Sequence, residues 1–373
     1  MYRADRSPNA PRAAEPVEVR RVTQELWEPD FDRLLTVLEL HGEPDRIPFL
    51  DFSHDPLIMQ QVLGRQVPAD PREHRQFRID FAVACGYDVV RGTVGAYHFT
   101  GVESRIADDT AEVSRGTRGW RDDHAGAIAN WEQFEAYPWP RIEDADFSDI
   151  EALSTMLPAN MKMVVTLPGG VLENLIRVIG YEPLCLMLAD DPELVRAVAD
   201  RVGECELALY EALADFEQIG ALWLNDDLGF KTATMISPAD LREYVLPWHA
   251  RLVECGHAQG RPVMLHACGN CGEVMEDLIA TGIDAKHSFE DVILPVAEFK
   301  RQFGDRLAAI GGIDMDVISR CSEDEVRAYT RRVIEECAPG GGWALGTGNS
   351  VPNYVPVENF LAMLDEGRRW GAY

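Results

Sequence analysis

Eight short apolar runs recur along the chain, each followed by a stretch with helix signals, and this alternation restricts the folds open to it. The runs are RIPFLDF (46–52), YDVVRGTV (87–94), MVVTLP (163–168), ALWLNDD (221–227), RPVMLHA (261–267), DAKHSF (284–289), LAAIGGID (307–314) and GWALGTG (342–348). Most are continuously apolar rather than alternating, as expected of parallel strands covered on both faces. Asp191-Pro192-Glu193 places a cap before a first-turn proline and opens an amphipathic stretch to about Glu217. Ser237-Pro238 does the same for a helix running to about His257, and Ser322 with Glu325 forms a capping-box pattern. Eight β-then-α units close most simply into an α/β, single-domain (β/α)8 TIM barrel over residues 26–373. A doubly wound open sheet is the rival, but its GxGxxG turn is absent.

Two segments stand outside this pattern. The pieces AYHFTGV (96–102) and TAEVSRG (110–116) predict a hairpin excursion over the barrel mouth after the second strand, and YPWPRIEDADF (137–147) reads as a rigid linker back. Residues 1–25 lack an apolar core and read as a disordered tail, not a secretory signal.

Composition removes several functions. Asp+Glu number 63 against Lys+Arg 35, a formal charge of −28. That field repels phosphate backbones and anionic lipid, so no nucleic-acid or membrane-surface role is expected. No apolar run approaches the length of a membrane span. Eight cysteines spread thinly through the chain suggest reduced thiols and a cytoplasmic setting.

In a barrel the reactive side chains sit at the C-terminal strand ends. Those ends offer Asp51, Asn225-Asp226-Asp227, His266-Ala267-Cys268, Glu290, Asp314 and Asn349. The sharpest is LHACGNC: His266 and Cys268, two apart on an extended end, project to one side and suit zinc, with Cys271 returning after Gly269-Asn270 as a third ligand. A buried histidine beside two unligated thiols is the bland alternative. Asp226 and Asp227 could serve as acid or oxygen ligand, or one could cap the following turn. Glu290 and Asp314 are candidates for cofactor contact, though GGID could be only a tight turn. Trp139, Trp223 and Trp343 read as core, and His249 and His257 as packing or surface residues of a helix.

The segments LHACGN, GIDAKHSFED, AAIGGIDMDVI and GTGNSVPNYVPVENFLAML, with LPGGVLENLIRVIGYEPLCLMLADDPELV and ISPADLREYVLPWHARL upstream, resemble the uroporphyrinogen decarboxylase superfamily over about residues 30–370. The resemblance implies a (β/α)8 barrel and often a homodimer. It also implies one of two chemistries. Metal-free decarboxylases bind acidic porphyrinogens with N-terminal arginines and one aspartate, and FRIDFAVACGYDVV puts Asp88 in that role; the paired-arginine stretch around RIPFLDFSHDPL is missing, and Asn349 replaces the histidine of the C-terminal glycine motif. Corrinoid-dependent methyltransferases carry a His-x-Cys zinc motif with a later cysteine; His266 and Cys268 match, and Cys271, Asp226 or Asp227 would complete the set where Asn349 stands. The expected function is a zinc-dependent methyltransferase moving a methyl group between a methylcorrinoid, free or on a corrinoid protein, or a small methyl donor, and a small thiol. A metal-free carboxy-lyase and a non-catalytic small-molecule-binding barrel are the alternatives.

Overall fold

The structure, a computed structural model, describes residues 28–101, 105–108, 117–120 and 125–373. Among the described residues nine strands run in chain order: β1 (Val89–Gly92), β2 (Arg105–Asp108), β3 (Thr117–Trp120), β4 (Lys162–Thr166), β5 (Ile219–Asn225), β6 (Val263–His266), β7 (Ala285–His287), β8 (Ala308–Ile310) and β9 (Trp343–Ala344). Seven of them form a parallel sheet in the order β1-β4-β5-β6-β7-β8-β9. Each crossover carries helix, so consecutive strands lie side by side, the arrangement that the alternating pattern predicts.

The first apolar run behaves differently from the expectation of an eighth laddered strand. Leu50 N donates to Leu345 O and Leu345 N to Pro48 O, both at 2.9 Å, which ties residues 48–50 in parallel to β9 through a single bridge. Pro48 has no N–H, which limits the ladder this run can form. Among the described residues no backbone hydrogen bond joins it to β1. Side chains cross that seam instead: Leu50 and Val89 share an inner cluster with Val164, Trp223, Met264, Ala285, Ile310 and Ala344. The helix Phe31–Leu38 adds Phe31, Leu34, Val37 and Leu38 to this cluster, and Phe31 N bonds Asn160 O just before β4. It therefore stoppers the N-terminal end of the strands, leaving their C-terminal ends as the mouth.

Local chemistry sets the helices. Asp191 caps Pro192–Ala212 by accepting from Leu194 N, and Ser322 with Glu325 closes a full capping box on Glu323–Cys337. The segment after Ser237 is not one continuous α-helix: Leu241–Val245 widens into a π turn before Leu246–Ala258. Pro247 cannot donate four residues back, and the wider turn absorbs that loss. β2 and β3 pair antiparallel, while the predicted piece 110–116 and the predicted tail 1–25 lie outside the described residues. Among the described residues no helix is long and apolar enough to cross a membrane.

Candidate metal centre

β6 and β7 lie in register with His266 opposite His287, so both imidazoles come from neighbouring strand ends. Their Nδ1 atoms are 2.7 Å apart, and His287 Nε2 is 3.1 Å from the Thr347 carbonyl. Burial depresses both basicities, His287 to about 4 and His266 well below the usual imidazole range, with the neighbouring ring and Lys286 adding to the effect on His266. Both rings are therefore neutral at pH 7. A carbonyl only accepts, so His287 Nε2 holds its proton and His287 Nδ1 is an acceptor. His266 Nδ1 must then donate, which leaves the His266 Nε2 lone pair free.

That lone pair lies beside two further atoms of kinds that can hold a metal ion. Cys268 Sγ is 3.5 Å from His266 Nε2, and Asp227 Oδ1 is 3.7 Å from it. The three ligand atoms all lie within 4.8 Å of one another. Asp227 Oδ1 also accepts from Cys268 N at 2.8 Å, fixing the loop that carries the thiol. Gly269 follows with φ +79°, a turn conformation that favours glycine, and a Cβ there would meet Gly229 O at 2.0 Å. Asn349 Nδ2 donates to Cys268 Sγ at 3.2 Å. Burial and the Asp227 carboxylate push the metal-free Cys268 thiol up to about 12. One nitrogen, one sulfur and one carboxylate oxygen form a donor set suited to zinc, and three protein ligands are the usual number at a catalytic zinc.

Of the residues singled out in the sequence, His266, Cys268, Asp227 and Asn349 come together. Cys271 does not join the three-atom group; it is buried, with Sγ 3.9 Å from Gly269 O, and lines a separate cavity of about 200 Å³ with Lys286 and Glu290. The turn at Gly269-Asn270 does not fold back on the triad. Asp226 is an anchor: it is fully buried and accepts from Leu172 N at 3.0 Å, Glu173 N at 2.9 Å and His249 Nε2 at 2.7 Å. A Cβ on Gly170 would meet Asp226 Cβ at 2.3 Å, so that glycine lets the Val171–Ile179 helix seat on the carboxylate. His249 is accordingly a buried packing partner.

Two more candidates are structural. Asp314 caps Met315–Arg320 and accepts from Asp316 N and Asp291 N, both at 2.8 Å. Asp88 precedes β1, at the stoppered end away from the mouth, where it accepts from Asp30 N, Arg33 Nη1 and Arg46 Nη2 at 2.9, 3.1 and 2.9 Å. A carboxylate held there cannot reach a substrate in the mouth.

Sequence reasoning missed His287 and Phe52. A signal existed for His287, since DAKHSF ends a strand as LHA does. Phe52 offered none, yet its ring stacks on His266 at 4.1 Å and 15° and meets Trp223 edge-on at 5.2 Å. A cavity of about 370 Å³ opens beside this stack, lined in part by Phe52, His54, Arg91, Thr166 and Trp223. On its wall Asp51 accepts from Tyr87 Oη at 2.5 Å and from Thr347 N and Oγ1, each at 2.6 Å. Burial alone would raise the Asp51 carboxyl, but His54, Thr347 and Tyr87 hold it below the ordinary range. Asp51 thus steadies Thr347, whose carbonyl sets the His287 tautomer.

The comparisons agree with this geometry at the level of fold and family. A methyltransferase from Methanosarcina mazei superposes with a TM-score of 0.67, covering 92% of this chain and 99% of that one at 16% identity, which shows the shared fold. A uroporphyrinogen decarboxylase of Thioalkalivibrio sulfidiphilus is 31% identical over 140 residues, 36% of this chain and 39% of its own length. A methylated-thiol–coenzyme M methyltransferase of Methanosarcina mazei is 29% identical over 187 residues, 49% and 47% of the two chains. The matches thus span about half or less of these curated relatives. The family model described as "Uroporphyrinogen decarboxylase (URO-D)" matches residues 150–370, more than half of the chain and inclusive of the whole triad. This protein belongs to the uroporphyrinogen decarboxylase (URO-D) family.

Proposed function

We propose that the protein is a zinc-dependent methyltransferase that transfers a methyl group to a small thiol. The observation that carries this reading is the Asp227, His266 and Cys268 donor group with its His266 lone pair set by the His287–Thr347 chain. These three residues would hold the ion, and Asn349 would support the Cys268 sulfur. When bound, zinc lowers the pKa of a coordinated thiol, so that the substrate is presented as the thiolate that attacks a methyl group. The protein's own share is positional. His287 orients His266, Asp227 fixes the Cys268 loop, and the adjoining cavity receives the substrate. A methylcorrinoid, free or carried on a partner protein, is the proposed donor.

The test is metal content with a spectroscopic check. Purified protein is expected to hold about one zinc per chain, and cobalt substitution to give the thiolate-to-metal charge-transfer band of a Cys268 ligand. His266→Ala should lose the metal and Cys268→Ser the band. Wild-type protein that takes up no zinc or cobalt would refute the proposal. A second reading, a metal-free carboxy-lyase, is favoured by the relatives bearing the decarboxylase name. It requires activity that is indifferent to chelators and to His266→Ala.

A further inference from the structure

Helical spacing puts one carboxyl where a charge has no place. Glu206 falls between Val202 and Leu209 on the core face of Pro192–Ala212, and like them it is buried. Its hydrogen bond is to Asn174 of Val171–Ile179, whose Nδ2 donates to Glu206 Oε1 at 3.0 Å. Among the described residues Glu206 Oε2 has no partner, and neither has Asn174 Oδ1. The orientation of the amide is fixed, because Nδ2 also donates to the Pro168 carbonyl at 3.3 Å and a carbonyl only accepts. Two bare acceptor oxygens therefore belong to the two members of one hydrogen-bonded pair.

The surroundings sharpen the problem. The charges that reach Glu206 are the carboxylates of Asp226, at the end of β5, and Glu173, on Val171–Ile179. Among the described residues no cation pairs with it. Tyr97, Cys205 and Tyr210 also face it, and burial keeps all three neutral at pH 7. His249, from Leu246–Ala258, is committed to Asp226. Asp226 accepts from three donors and so can carry its charge, whereas Glu206 accepts from one. Burial and the two like charges hold the Glu206 carboxyl well above the usual carboxylate range.

We propose that Glu206 is a neutral carboxylic acid in the folded protein, its proton shared from Oε2 to Asn174 Oδ1, closing an acid–amide pair that latches Pro192–Ala212 to Val171–Ile179. One proton gives both bare oxygens a partner, and the Nδ2 donation to Oε1 is kept. The latched helix is the one whose Leu172 and Glu173 amides hold Asp226, next to Asp227. The latch is independent of which reaction the mouth performs. It also makes the fold sensitive to pH. An unfolded glutamate titrates near about 4.3, so at neutral pH the folded chain keeps a proton that the unfolded chain has released. The stability contributed by this group is complete below that value and is lost as pH rises toward the folded one.

The test compares urea unfolding of wild type and Glu206→Gln between about pH 5.5 and 8.5. Glutamine presents an N–H where the acid presents its O–H, so this variant should fold and keep the latch. The ratio of the two unfolding constants should then grow about tenfold per pH unit, in favour of Glu206→Gln, until wild type reaches its folded pKa. Glu206→Ala leaves the Asn174 amide bare and should be less stable than Glu206→Gln throughout. Wild-type protein labelled with 13C at the glutamate carboxyl carbon provides a measurement that needs no variant. One carboxyl resonance should stay at the protonated position at pH 7, and it should be missing from Glu206→Gln. A ratio that does not change with pH, or glutamate carboxyls that are all ionised at pH 7, overturns the latch.

Discussion

Asp226 and Asp227 are adjacent in sequence, yet their removal should have opposite consequences. Asp226→Ala strands Leu172 N, Glu173 N and His249 Nε2 in a site from which water is excluded. At about 1–3 kcal/mol for each buried donor left unsatisfied, less what relaxation recovers, the loss is on the order of 4 kcal/mol. The favourable placement of a carboxylate at the Val171–Ile179 helix N-terminus adds a few tenths to about 1 kcal/mol. Against a total stability of roughly 5–15 kcal/mol, this is a large fraction. Asp227→Ala removes one hydrogen bond from a side chain 37% exposed, and should cost about 1 kcal/mol. Urea unfolding followed by circular dichroism should therefore show a large fall in midpoint for Asp226→Ala and a small one for Asp227→Ala. Zinc titration should show the reverse order, with Asp227→Ala weakened and folded Asp226→Ala near wild type. Equal midpoints, or metal binding lost in Asp226→Ala and kept in Asp227→Ala, would refute the division of roles.

Three other outcomes follow from the same geometry. Asp88→Ala removes the buried carboxylate that accepts from Asp30 N, Arg33 and Arg46 and should destabilise by about 3–5 kcal/mol while zinc stoichiometry is unchanged, measured by thermal unfolding and metal analysis. His287→Leu removes the acceptor for His266 Nδ1 and should weaken zinc about 10- to 100-fold in competition with a chelator, with no ligand atom touched. Metal-stripped protein should lose stability in acid. His287 is held to about 4 in the folded state, whereas an unfolded histidine titrates near 6.5, so the unfolded chain binds the extra proton first. That contribution is intact above about pH 6.5 and is lost as pH falls toward 4, about 3 kcal/mol in all. The urea midpoint should therefore fall more steeply across that window in wild type than in His287→Leu.

Much of the architecture was written locally. Continuous apolar runs, Asp191 and Ser322 as caps, and the serial β-then-α order are short-range features, and they suffice to specify parallel strands with helical crossovers. His266 and Cys268 were also legible, because a two-residue spacing on an extended end fixes their common side. The rest depended on distance in space rather than in sequence. Which of two adjacent aspartates would be a ligand depended on Gly170 letting a helix end descend onto Asp226, which left Asp227 to meet the Cys268 amide. His287 became part of the centre only through the β6–β7 register, and Arg91 met Phe52 only when the sheet curled. Asp88 went the other way: its surroundings in sequence resembled a catalytic segment, but its position before β1 sent it to the closed end. A strand pattern determines which side a residue faces; register and curvature determine what it finds there.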